Sequence, residues 1–107
     1  MALTSASGKL LQSATVKTFQ TSQRLASGEE TGYGLGWDLE PVSIAGASTT
    51  AAGHDAGFII GGGASLATLR DRGIVVAVTT NTSFADTSAI ALKIAQAFAE
   101  QKAPAAK

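Results

Sequence analysis

The one histidine of this 107-residue chain, His54, lies in the segment AAGHDAGFIIGGG and is the residue best suited to chemistry. An imidazole can act as a general acid or base near neutral pH. Asp55 follows it directly, but neighbours on a strand point to opposite faces, so we do not expect Asp55 to orient the ring. Gly53 and the small residues Ala56 and Gly57 would let a ligand or a second chain approach the backbone. His54 is therefore our candidate site residue, and a buried structural imidazole is the alternative.

Other common site chemistries find little support in the sequence. The chain has no cysteine, one histidine and no H-E-x-x-H motif, so we expect no metal site and no other cofactor. No phosphate-binding loop is expected, because Gly61-Gly62-Gly63 leads into a predicted strand rather than a helix. Neither G-x-S-x-G nor S-x-x-K occurs, although a new hydrolase built from His54 and a local serine such as Ser65 remains an alternative.

Composition predicts one domain over residues 1–107, with residues 1–8 and 103–107 frayed. The formal net charge is zero and no basic stripe is present, so a nucleic acid is not an expected partner. The longest aliphatic run, residues 74–78, is far shorter than the ~20 residues of a membrane span. The N-terminus does not resemble a secretory signal, and the compartment stays open.

Hydrophobic periodicity predicts a helix, several strands and a second helix. A short helix is expected at residues 10–19, and strands are expected at residues 33–40, 51–60, 63–69 and 74–80. We predict that residues 41–50 form a loop or a short irregular strand. The strand at residues 74–80 is apolar on both faces, so we expect it to be central and covered on both sides. Gly73 should allow a turn in the hairpin that joins it to residues 63–69.

The last helix has both a start signal and a predicted apolar face. Ser83 and Asp86 have the spacing of a capping box. The residues predicted to face the core are Ile90, Ile94, Ala97 and Phe98. The whole order predicts an α+β domain, in which an antiparallel sheet of about four strands carries an N-terminal and a C-terminal helix.

Three segments occur in an order that is specific when they are taken together. They are YGLGW at residues 33–37, GHDAG at residues 53–57 and GGGASLATLRDRGIVVAVTTN at residues 61–81. Over roughly residues 8–101 the sequence resembles the C-terminal part of β-lactamase-related serine hydrolases, which include class C β-lactamases, penicillin-binding DD-peptidases and esterases. The resemblance implies a central antiparallel sheet, with the terminal helix on one face and an all-helical region on the other.

The resemblance also implies roles for the residues around His54. Their strand would be the active-site edge strand, with His54 at the Lys or His position of its motif. There His54 would help to place the substrate carboxylate or take part in proton transfer. Asp55 would fill the variable middle position, and Gly57 would supply a backbone N–H to the oxyanion hole. Ala56 replaces the glycine of the motif, and its methyl group would crowd the substrate or the neighbouring strand.

The family's nucleophile and base belong to S-x-x-K and Y-x-N motifs, and neither motif occurs in these residues. We therefore expect a truncated or split hydrolase segment that is inactive or weakly hydrolytic alone and is completed by an N-terminal segment. The alternative is a non-catalytic module that self-associates or binds a partner. Open strand edges and an apolar sheet face would favour a homo-oligomer. The resemblance leaves lactam, peptide and ester substrates open.

Overall fold

Within residues 10–102 the chain forms four antiparallel strands and two helices, which confirms the expected α+β class. A computed structural model describes residues 10–102, and for residues 57–59 and 102 it describes the backbone alone. The elements are α1 (Ser13–Phe19), β1 (Asp38–Ile44), β2 (Ala47–Ile59), β3 (Gly62–Leu69), a 3₁₀ turn (Arg70–Arg72), β4 (Ile74–Thr80) and α2 (Thr87–Lys102). The strands form one sheet in the order β1-β2-β3-β4. The predicted fraying of residues 1–8 and 103–107 lies outside the described residues.

The first strand begins later in the chain than the alternation at residues 33–40 predicts. β1 starts at Asp38, and Gly36 just before it has a φ of 83°, a left-handed conformation that interrupts an extended strand. Gly34 lies against the end of α1, where an added Cβ would overlap the carbonyl oxygen of Phe19. The glycines of this segment therefore serve a turn and a close approach of α1, not one face of a strand.

A tight turn joins β1 to β2, so residues 41–50, predicted as a loop or a short irregular strand, belong to a regular β-hairpin. Ala45 and Gly46 both have positive φ, at 51° and 79°. The side chain of Gln96 in α2 accepts a hydrogen bond of 2.9 Å from the Ala45 N–H, which ties the turn to the helix. Pro41 fits in β1 because an edge strand has one flank on which a missing N–H costs no ladder bond.

β4 lies at the sheet edge within the described chain, so the prediction of a covered central strand is wrong. It pairs with β3 alone, from Ile74 opposite Leu69 onward. Ile74 and Val76 are buried on the face that α2 covers, whereas Ala77 on the other face is exposed. Hydrophobicity on both faces indicated burial, but it could not indicate which element would supply the cover.

α2 packs on the sheet through its smallest side chains, and the face predicted from its largest ones is wrong. Ala91, Ala95 and Ala99 are 1%, 0% and 2% exposed and join the core with Leu69 and Val76. The residues predicted to be buried are exposed: Ile90, Ile94, Ala97 and Phe98. Alanines let the helix approach the sheet closely, because the packing distance depends on the side chains at the contact.

The start of α2 is capped by Asp86 alone. Its carboxylate accepts a hydrogen bond of 3.0 Å from the backbone N–H of Ala89. The hydroxyl of Ser83 instead accepts one of 2.8 Å from the N–H of Gly61, in the turn between β2 and β3. The predicted capping box does not form: Asp86 is itself the N-cap, because the helix begins three residues later than the box requires, and a tertiary contact takes the serine away from the helix.

Candidate functional site

His54 lies on β2 just beyond the point at which β1 ends. β1 pairs with β2 only as far as Gly53, which lies opposite Asp38. β3 pairs with β2 on the other side and places Leu66 opposite His54. In the part of the chain that the structure describes, β2 is thus an interior strand up to Gly53. Its β1-side flank has no strand partner from His54 onward, so only this half matches the expected edge strand.

The imidazole of His54 is exposed to solvent, and the alternative of a buried structural histidine is wrong. Its side chain is 57% exposed, and Nδ1 lies 4.0 Å from Oδ2 of Asp38. That separation suits an ion pair with a protonated ring but is too long for a hydrogen bond. The ring of Tyr33 meets the imidazole edge-on, with 6.5 Å between the ring centroids. An acidic and an aromatic side chain therefore flank the ring.

Asp55 and Ser65 lie on the face of the sheet opposite His54. They pair across β2 and β3, and this face is covered by α2. Ser65 is 4% exposed, and its Oγ lies 2.7 Å from Oγ1 of Thr87. A hydrolase built from His54 and Ser65 is therefore ruled out by geometry, since the serine is buried, hydrogen-bonded and on the wrong face.

Ala56 and Gly57 continue the open half of β2. Ala56 is exposed and lies opposite Ala64 in β3. The register shifts between Ala56 and Ile59, so Gly57 lies within a bulged segment of the strand. Bulges change the direction of backbone groups and are common beside active sites. The roles predicted for Ala56 and Gly57 stay predictions.

A small pocket lies beside this strand, between β1, β2 and α2. Its volume is about 40 Å³, far below the ~300 Å³ at the lower end of small-molecule binding pockets. The residues that line it include Asp38, Glu40 and Asp55, together with His54. The pocket is too small for a substrate, so a substrate at His54 would have to lie on the open surface of the strand.

Asp38 and Tyr33 are the neighbours of His54 that sequence reasoning missed. The signal that could have found Asp38 is the turn at Ala45 and Gly46. Counting equal numbers of residues back along both strands from that turn places Asp38 opposite Gly53. Because the pattern at residues 33–40 predicts a strand, the sequence does not indicate that Tyr33 lies beside the imidazole of His54.

Two further properties belong to residues 10–102 as a whole. No cluster of three or more His, Asp or Glu side chains among them is arranged to hold a metal ion. No helix in this part of the chain combines the length and hydropathy needed to cross a bilayer.

Comparison with known proteins places these features in a wider context. The family model described as Beta-lactamase matches residues 2–101, which include α1, the strands β1–β4, His54 and all of α2 except its last residue. No curated protein and no solved structure gives a significant match.

Proposed function

Because the chain belongs to the β-lactamase family, we propose that it is a segment of a β-lactamase-like serine hydrolase that supplies the strand bearing His54. Another segment supplies the serine nucleophile and its base, for which these residues contain no S-x-x-K motif. The observation that carries the proposal is the open flank of β2 from His54 onward. A substrate and a second segment can both lie against that flank.

In this proposal the open half of β2 provides positioning and charge stabilisation for acyl transfer. His54 contacts the substrate carboxylate or takes part in proton transfer. The backbone N–H of Gly57 contributes to the oxyanion hole. Asp38, 4.0 Å from Nδ1, favours a ring orientation that leaves Nε2 for the substrate. Asp55 and Ala56 complete the substrate-binding strand.

The chain alone is proposed to be inactive or weakly hydrolytic. Without an activated serine, only binding and oxyanion stabilisation remain, and these supply a small part of the rate of a serine hydrolase. A β-lactam should therefore leave the intact mass of the isolated chain unchanged. Acylation of one of its serines would contradict the proposal.

Complementation tests the proposal directly. The chain is combined with the segment of a family hydrolase that carries S-x-x-K and Y-x-N, and turnover of a chromogenic cephalosporin and a p-nitrophenyl ester is measured. We expect activity in the mixture only, and a loss of about 10- to 100-fold with His54→Ala, in the lower range of acid–base contributions. Ser48→Ala, exposed on β2, is the matched control and should retain full activity. Activity that does not depend on His54 would overturn the assignment.

A second candidate is a non-catalytic module that self-associates or binds a partner. It is favoured by the exposed apolar side chains of α2, which lie beside the edge strand β4. Sedimentation equilibrium from about 10 to 500 µM, the range of weak association, tests its self-associating form. If the chain stays monomeric across that concentration range, the self-associating form of this candidate is excluded.

A further inference from the structure

We propose that the site at His54 accepts an ester that carries no negative charge beside the strand, and that it disfavours lactams and peptides that bind through a carboxylate. This substrate class rests on the proposed function, which leaves lactam, peptide and ester open. It follows from the sign of the charges around His54, and the pairing of β1 with β2 inside this chain sets those charges.

Acidic side chains surround His54. Asp38 is the nearest, with its Oδ2 4.0 Å from Nδ1 of the imidazole. Asp55 follows His54 directly, and although its side chain lies on the opposite face, the two Cα atoms are only about 3.8 Å apart. Both distances are shorter than the ~8 Å over which physiological salt screens exposed charges. Glu40 is the third acidic residue that lines the small pocket beside His54.

The basic side chains that the structure describes lie elsewhere, and none of them lines this pocket. They are Lys17, Arg24, Arg70, Arg72 and Lys93. Arg70 and Arg72 lie beyond the end of β3, at least four residues and about 13 Å past the level of His54. Lys93 lines a groove with residues 42–44, at the other end of β1. Arg24 is 2.9 Å from Glu30, which neutralises its charge.

His54 itself does not supply a permanent positive charge. Imidazole changes its charge near neutral pH, whereas the ammonium group of a lysine stays charged there. When the ring is protonated, Asp38 compensates its charge from 4.0 Å away. His54, Asp38 and Asp55 together are therefore negative in both protonation states of the ring.

This negative charge separates the three substrate classes. Lactam antibiotics and the C-terminal ends of peptides carry a carboxylate close to the bond that is broken, whereas an ester needs none. In water, one like charge about 6 Å away weakens binding about 3-fold, so two carboxylates predict a loss of about 3- to 10-fold for an anionic substrate. Of the two roles proposed for His54, proton transfer is therefore the one that fits its surroundings.

Alkylation of His54 measures the charge at the site without any catalytic activity. Iodoacetate and iodoacetamide alkylate imidazole in the same way, but the first is anionic and the second neutral. The tryptic peptide of residues 25–70 contains His54 and no lysine, methionine or cysteine, so its mass reports this side chain. We expect the ratio of iodoacetate to iodoacetamide rate constants to be about 3- to 10-fold lower than for N-acetylhistidine amide, and the difference to shrink in about 500 mM NaCl.

Charge-removing variants identify the source of the effect. Asp38→Asn and Asp55→Asn should each raise the ratio about 2- to 3-fold, because each removes one negative charge near the ring. Glu100→Gln makes the same change in net charge far from the site and should leave the ratio unchanged. It lies thirteen residues, about 20 Å, along α2 from Thr87, whose hydroxyl is hydrogen-bonded to Ser65. Circular dichroism checks that each variant is folded.

The complemented enzyme tests the substrate class itself. Three phenyl acetates are compared, one unsubstituted, one with a meta carboxylate and one with a meta trimethylammonium group. Each kcat/KM is divided by the rate constant for hydroxide-catalysed hydrolysis of the same ester, which removes differences in leaving-group reactivity. We expect the carboxylate to lower the normalised value about 3- to 10-fold and the trimethylammonium group to maintain or raise it. Asp38→Asn should narrow the difference between the neutral and the anionic ester.

Either measurement can overturn the inference. An alkylation ratio equal to that of N-acetylhistidine amide, or one that neither aspartate variant changes, would show that the acidic side chains do not set the charge at His54. A complemented enzyme that prefers the carboxylate-bearing ester would assign carboxylate binding to His54 instead. If complementation fails, the hydrolase proposal fails, and the alkylation ratios still decide whether the surface at His54 repels anions.

Discussion

At the scale of single residues, Gly53 determines how His54 is presented. Gly53 lies opposite Ala67, and an added Cβ would overlap the carbonyl oxygen of Leu66 in β3. The two strands therefore approach each other too closely for any other residue at this position. The close approach occurs at the last residue of β2 that β1 covers, directly before His54.

Gly53→Ala should lower the free energy of unfolding by about 1–3 kcal/mol, the usual cost of forcing extra atoms into a packed site. Urea denaturation followed by circular dichroism measures the change. Ser48→Ala, at an exposed position of the same strand, should alter the free energy by no more than about 0.5 kcal/mol. An unchanged stability in Gly53→Ala would show that β2 and β3 are further apart than described.

At the scale of elements, the rotation of α2 decides which part of the molecule is core. The helix buries alanines against β3 and β4 and presents Ile90, Ile94 and Phe98 to solvent. Summed hydrophobicity favours the opposite rotation, with Ile90, Ile94 and Phe98 buried. Burial of the alanines lets α2 lie close to β3 and β4, because the packing distance depends on the side chains at the contact.

Two matched substitutions of alanine by leucine distinguish the two rotations of α2. Ala95 is 0% exposed, so Ala95→Leu should lower the free energy of unfolding by about 1–3 kcal/mol through overpacking. Ala97 is exposed two residues later, and Ala97→Leu should change it by about 0.5 kcal/mol or less. Urea unfolding curves measure both. The reverse order would mean that the face predicted from the large side chains is the buried one.

At the scale of the whole molecule, packing rather than charge maintains the fold. Among the described residues the ion pairs are Arg24–Glu30 and Asp38–His54, and the side chains of both pairs are more than half exposed. Exposed pairs contribute about 0–1 kcal/mol and are screened by salt. The core is built largely from alanine, valine, isoleucine and leucine.

The free energy of unfolding should therefore depend little on ionic strength. Between about 20 and 500 mM NaCl we expect urea denaturation to give values that agree within about 0.5 kcal/mol, because the exposed ion pairs that salt screens contribute little to stability. The control is Arg24→Ala, which removes the Arg24–Glu30 ion pair, and its stability is measured at both salt concentrations. A loss of stability above 1 kcal/mol on adding salt would contradict a fold maintained by packing.

The sequence by itself determined the features that depend on local patterns. The β3–β4 hairpin follows from two apolar runs joined by a turn in which Gly73 adopts a φ of 65°. The α+β class follows from the order of helix, strands and helix. The family is also readable in the chain without any three-dimensional information.

Only the tertiary structure decided what each of these features contacts. Periodicity reports the spacing of apolar side chains, but burial depends on which element lies above them and at what distance. α2 is therefore buried through its alanines, and β4 keeps an open edge in the described chain. In the same way Ser65 was separated from His54, and Asp38 was brought beside it, by the pairing of strands that no short segment of sequence specifies.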